Sequence, residues 1–323
     1  MEQLKPLAKI LGVITTAGMF LVLVMGATVT NTGSATGCGQ SWPLCRGKLI
    51  PQMAVSTAIE FSHRAVVGVE TILILALAAV ALVLYRRRLE MQILAPLMVL
   101  FLFLQAGLGA WAVMAPQASA VLALHFGVSL VSFASVLLTA VFLFEADGQE
   151  SLRDHPLPRH FVWFGWIVAA YSYVVVYLGA YVRHVEADRA CQGWPLCNGQ
   201  VVPTLRGPIL YNFVHRGAAG LLALAIAALC IWAWHLRGER PDIFRGAIIA
   251  LALVVLQSLS GAIIVWTHAD LFSALLHAGL VGLMFAGLTY ICMHLLPRPS
   301  TVTETAPEVL RPRIAPGIQS PHA

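Results

Sequence analysis

Charge is scarce in this 323-residue sequence: 20 basic and 15 acidic side chains make up 11% of it, against 59% apolar residues and a mean hydropathy of +0.81. Soluble domains carry about 25% charged residues, and a chain this poor in charge would have to face water with mostly apolar atoms. A soluble enzyme is excluded. Disorder of the whole chain is excluded too, because it needs low hydropathy and high net charge. The net charge of +5 and pI near 9.0 do not point to nucleic acid, since no basic patch with interleaved aromatics accompanies them. Cysteine is also sparse, with six residues.

Long apolar runs are what the sequence has instead. A helix crossing about 30 Å of hydrocarbon needs about 20 mostly apolar residues. Eight such windows occur, at 10–30, 60–84, 92–114, 119–144, 161–182, 209–235, 245–266 and 270–296. The first follows Lys5 and Lys9, but it is longer than the roughly 7–15-residue apolar core of a signal peptide and counts as a span. With the N-terminus inside, 13 of the 20 basic residues fall on the inner side, Arg86, Arg87, Arg88 and Arg240 among them. The positive-inside rule then puts both termini in the cytoplasm. Residues 297–323, rich in Pro, Thr and Arg, read as a disordered cytoplasmic tail.

The chain repeats itself. Trp42, Pro43 and Cys45 match Trp194, Pro195 and Cys197 at an offset of 152, and the same offset carries Pro51 to Pro203, His63-Arg64 to His215-Arg216, Gly68 to Gly220, Gln105 to Gln257, Gly109 to Gly261 and His125 to His277. The expected fold is an all-α integral membrane protein whose eight transmembrane helices form two tandem four-helix bundles, related by a pseudo-two-fold axis along the membrane normal. The expected units are a bundle at 1–145, a cytoplasmic linker at 146–160, a second bundle at 161–296 and the tail. The repeat breaks at Glu60, whose partner is Asn212, and at Glu70, whose partner is Leu222.

Seven of the eleven histidines (His155, His160, His184, His235, His268, His294 and His322) lie in loops, in the tail or near helix ends and read as solvated or interfacial. The other four, His63, His125, His215 and His277, form two pairs with the same spacing of 62 residues. Each is expected about one turn, or roughly 6–8 Å, below the outer surface. Ionisable residues in a membrane need a partner or a use. Facing histidines on antiparallel helices can hold a metal, and a bundle interior can hold a haem between them. Zinc would ask for further ligands at this depth, which the repeat does not supply. Bis-histidine haem in each half is therefore the preferred reading, with the haem iron as the metal. Arg64 and Arg216 are candidate contacts for haem propionates, or else snorkel to the interface. Glu60 shares a helical face with His63 and suits a base or a water-orienting group, or else a carboxylate at a helix start. Glu70 lies on the same side, its role open.

Cys230 and Cys292 sit in apolar spans and read as small core residues. Cys38 with Cys45, and Cys191 with Cys197, lie in short outer loops around Trp-Pro-Leu, where disulfides can form and would pin a lid over each bundle. A redox role for the first pair stays open beside the structural one.

Together these features resemble the haem A synthase family, from about residue 10 to 296: eight helices in duplicated bundles, four outer-side histidines, Glu-x-x-His-Arg from Glu60 to Arg64, and two cysteine loops as in bacterial members. The resemblance implies an oxidoreductase of the plasma (inner) membrane that oxidises the C8 methyl of haem O to the formyl of haem A. It implies haem O as substrate at His63 and His125, with Glu60 catalytic, and a haem b cofactor at His215 and His277. It also suggests haem O synthase as a neighbour, and a homo-oligomer is compatible with it. Two other readings stand beside it: a diheme b-type electron-transfer cytochrome such as a quinol oxidoreductase, and a membrane thiol oxidoreductase working through the cysteine loops.

Overall fold

A computed structural model describes residues 4–115, 118–145 and 155–296. The expected tail and residues 146–154 of the expected linker lie outside the described residues. Eight helices form, each long and apolar enough to cross a membrane: α1 (Lys5–Asn31), α2 (Val55–Tyr85), α3 (Leu89–Met114), α4 (Ser119–Glu145), α5 (Arg159–His184), α6 (Gly207–His235), α7 (Pro241–Trp266) and α8 (Leu271–His294). Among the described residues there is no β-strand, only two isolated bridges in the cysteine loops. The protein is thus a multi-pass membrane protein of all-α class.

Several helices begin four or five residues before the expected apolar windows: α1 at 5, α2 at 55 and α7 at 241. Hydropathy marks where charge ends, whereas a helix begins where its backbone can. Prolines occupy the first turns of α1, α6 and α7, where a missing N–H costs nothing. At α8 the side chain of Asp270 accepts from the Ser273 amide at 2.7 Å. Hydrogen bonding from Ser273 holds this exposed carboxyl below its ordinary range.

Helices α1 to α4 pack in a ring, each against its neighbours with α4 back against α1, and α5 to α8 do the same. The rings meet where α4 touches α5 and α8, and where α1 touches α8. Helix α4 is the most enclosed, with 72% of its most apolar stretch buried, and α8 follows with 44%, as suits the two elements at the junction. Lipid tails are as apolar as leucine, so helices associate through close approach and polar contacts rather than by escaping water. Glycines provide that approach. A Cβ on Gly127 of α4 would come within 2.9 Å of Tyr173 Oη on α5, and one on Gly279 of α8 within 3.1 Å of Phe20 Cζ on α1; the two glycines are 152 residues apart.

One expectation fails at the end of the molecule away from the cysteine loops. His294 is not solvated but 3% exposed. Its Nδ1 lies 3.1 Å from Asp242 Oδ2 and its Nε2 3.4 Å from Glu145 Oε2. The Arg240 guanidinium pairs with Asp242 at 2.8 Å and donates to the His294 carbonyl at 2.9 Å. Proximity to a helix end suggested water, but the ring packs against Phe142 and Tyr290 at the α4–α8 contact. Arg240, one of the basic residues of the inner side, is likewise buried.

Candidate functional site

The two cysteine loops are built alike. Cys38–Cys45 and Cys191–Cys197 are disulfides, with all four residues buried. Cys45 and Lys48 exchange backbone hydrogen bonds at 3.1 and 3.0 Å around Arg46 and Gly47, and Cys197 and Gln200 do so at 3.2 and 3.0 Å around Asn198 and Gly199. Both central residues of each turn have positive φ, at 51° and 73° in the first and 54° and 74° in the second. That is the type I′ geometry for which Asn-Gly is the favoured pair. Arg46 adopts it with a long side chain, whose Nε donates to the Gly37 carbonyl at 3.1 Å.

Each loop is fastened by the arginine that follows the first histidine of its half. Arg64 Nη1 donates to the carbonyls of Ser41 and Leu44 at 2.8 and 3.1 Å, and Nη2 pairs with Glu60 Oε1. Arg216 Nη1 donates to the Gly193 carbonyl at 2.9 Å, and its Nη2 to Cys191 at 2.9 Å. In the second half a loop carbonyl takes the place of the carboxylate.

Glu60 lies in the second turn of α2, whose N-cap is Ala54 without a side-chain cap. The helix-start reading is thereby overturned. Its Oε2 accepts from the backbone N–H of Cys38 at 2.8 Å, so the carboxylate touches the disulfide loop with one oxygen and Arg64 with the other. Asn212 does the reverse, donating from Nδ2 to the Ala187 carbonyl at 2.8 Å.

The four histidines lie at matching places in the two halves. His63 and His215 are eight residues into α2 and α6, and His125 and His277 six residues into α4 and α8, or about 12 and 9 Å of helical rise. His63 is within electrostatic range of His125, and His277 of His215. Each imidazole rests against a glycine of the neighbouring helix. A Cβ would meet the ring Cε1 at 3.3 Å from Gly26, 3.4 Å from Gly109, 2.7 Å from Gly179 and 3.5 Å from Gly261. Gly109 and Gly261 were within the sequence repeat; Gly26 and Gly179 were missed. They are 153 residues apart, one out of register, and glycine signals no chemistry of its own.

The donor set fits a haem. Nδ1 of His63, His125 and His215 is buried with no hydrogen-bond partner, although backbone of Gln105 and Val175 lies near the last two. His277 is held differently. The Ser260 hydroxyl donates to the Gln257 carbonyl at 2.8 Å and lies 2.8 Å from His277 Nδ1. The Gln257 side-chain Nε2 stands 3.2 and 3.1 Å from His277 Nδ1 and Nε2, so Ser260 and Gln257 together hold this imidazole. Ser260 has Leu108 as its counterpart. No group of three or more His, Cys, Asp or Glu suited to a bare metal ion occurs among the described residues.

Comparison with known proteins gives a consistent result. A family model, COX15-CtaA, described as cytochrome oxidase assembly protein, matches residues 9–289. The chain is 41% identical over 293 residues to the "Heme A synthase" of Alkalihalophilus pseudofirmus, covering 90% of this chain and 98% of that protein. It is 40% identical to the protein of the same name from Symbiobacterium thermophilum, covering 87% and 93%, and 43% identical to that of an Exiguobacterium species, covering 86% and 90%.

Proposed function

The chain belongs to the COX15-CtaA family of cytochrome oxidase assembly proteins, and from that premise we propose how its residues divide the work of a haem A synthase. The activity is that of an oxidoreductase converting the C8 methyl group of haem O to the formyl group of haem A, which the family and the names of the relatives favour over an electron-transfer cytochrome or a thiol oxidoreductase. The observation that carries the reading is the set of four half-buried imidazoles, each resting against a glycine of the neighbouring helix, at equivalent places in two rings of helices.

In this reading the two rings descend from one duplicated bundle, 1–145 and 161–296. His63 and His125 hold haem O, and His215 and His277 hold haem b. When bound, haem b supplies one-electron redox chemistry. The division is supported by what differs between the halves. Ser260 and Gln257 hold the His277 ring, as suits a permanent ligand, whereas His125 Nδ1 has no hydrogen-bond partner among the described residues, as suits the ligand of a group that must leave. Glu60 is an acid–base side chain where Asn212 is not. Oxidising a methyl to an alcohol and on to a hydrated aldehyde passes electrons to an external one-electron acceptor and releases protons to the site, and Glu60 accepts these protons or orients a water. Arg64 and Arg216 hold the loops closed with the hydrogen bonds described above and present positive charge to the propionate edge. The loops and haem sites face outward, both termini lie in the cytoplasm, and haem O synthase supplies the substrate.

Extraction of porphyrins from the purified protein tests this. Haem O and haem A alongside haem B, identified by mass, are expected; haem B alone would favour the electron-transfer cytochrome.

A further inference from the structure

Of the two acidic residues that break the repeat, the proposed chemistry uses Glu60 and leaves Glu70 unassigned. On α2 no described side chain from 61 to 69 is fully buried, and tight packing resumes at Glu70 and continues through Ile74 and Leu77. On α6 none from 213 to 221 is fully buried, and packing resumes at Leu222 and Ile226. Glu60 and Asn212 thus bound the loosely packed histidine level on the loop side, and Glu70 and Leu222 bound it where the solid core begins. Glu70 is 3% exposed, and its Oε1 has no hydrogen-bond partner among the described residues. Its Oε2 lies so close to Gly18 of α1 that no Cβ would fit there. A carboxyl oxygen kept at this depth without a protein partner implies a partner that arrives.

We infer that Glu70 is a specificity residue, receiving the hydroxyl group that distinguishes haem O from haem B. This rests on the function proposed above. Haem O carries a hydroxyethylfarnesyl group where haem B carries a vinyl. With the propionates toward Arg64, that substituent belongs to the deep side of the ring. Glu70 is seven residues past His63, about 10 Å of rise, and so lies toward the deep edge of a ring held at His63 rather than beneath its iron. The second half has Leu222 at the equivalent position, which suits an edge bearing only vinyl groups. A proton-conducting role would need polar groups leading onward, but the next buried α2 residues, Ile74, Leu77, Ala78 and Ala81, are apolar.

The test uses the full-length protein carrying Glu70→Leu, which copies the second half, and Glu70→Met, closer in shape to glutamate. Haem O and haem B are titrated into each and followed by absorbance, and retained porphyrins are identified by mass. Losing a hydrogen bond to a buried carboxyl should weaken haem O binding at the first site about 10- to 100-fold. Haem B binding there should be equal or stronger, and haem b in the second half should stay at wild-type content, which also reports that the variant has folded. A wild-type preference for haem O over haem B in either folded variant overturns the inference, as does unchanged haem O affinity with loss of oxidation. Wild-type protein that takes up no haem O overturns the underlying function as well, so the two failures are told apart.

Discussion

At the scale of single residues, Glu60 carries two duties that one substitution can separate. Its carboxylate accepts from Cys38 N–H and pairs with Arg64, so truncation to alanine would loosen the disulfide loop whatever its role in chemistry. Glu60→Gln keeps an acceptor for Cys38 but removes the charge and the base. Arg64 would keep its bonds to the Ser41 and Leu44 carbonyls, which limits the loss to about 1–3 kcal/mol. Removal of a general base typically costs about 100-fold or more in rate. The expected outcome for Glu60→Gln is retained haem and a modest drop in melting temperature, with formyl product reduced at least about 100-fold by mass analysis of extracted haem. A lower melting temperature with undiminished product would leave Glu60 as a loop clasp alone. The residue was legible in the sequence because its partner is Asn212. Its grip on the Cys38 amide was not, because that contact depends on how a loop 22 residues away folds back over the helix.

At the scale of elements, helix approach decides where the imidazoles sit. Glycine inside a helix costs about 1 kcal/mol relative to alanine, so replacing it should stabilise a helix wherever there is room. There is no room at Gly179, where a Cβ would stand 2.7 Å from His215 Cε1, but there is at Gly261, where the distance to His277 Cε1 is 3.5 Å. Gly179→Ala is therefore expected to displace the ring and lower the haem b content of the purified protein several-fold, while Gly261→Ala keeps it. Absorbance at the Soret band per mole of protein measures both. Equal haem content would show that His215 is not held by this contact. The spans themselves were readable from hydropathy to within a few residues, because lipid demands an apolar run of fixed length. The glycine slots were not, since they depend on which helix faces are adjacent, and Gly26 and Gly179 sit one residue out of the repeat register.

At the scale of the whole molecule, the two rings are tied at both ends. At the loop end, Arg183 Nε of α5 donates to Asn31 Oδ1 of α1 at 2.8 Å. At the far end, Tyr290 of α8 donates to Glu145 of α4 at 2.9 Å, and His294 bridges Glu145 and Asp242. The sequence concealed this second tie because its members come from three helices and no local spacing links them. Its energetics follow from burial. Asp242 has a side chain 1% exposed and is the anion that both Arg240 and His294 approach. Such a pair adds little over well-packed apolar residues, but removing one partner strands the other and costs about 3–5 kcal/mol. Asp242→Ala is thus expected to lower the melting temperature of the detergent-solubilised protein by several degrees or more. The four histidines lie in the loop-side halves of their helices, so haem absorbance of the folded fraction should be unchanged. A shift in that absorbance would mean that the far-end tie sets the relative placement of the rings and, through it, the geometry at the histidines. An unchanged melting temperature would mean that water reaches Arg240 and His294 once the carboxylate is gone.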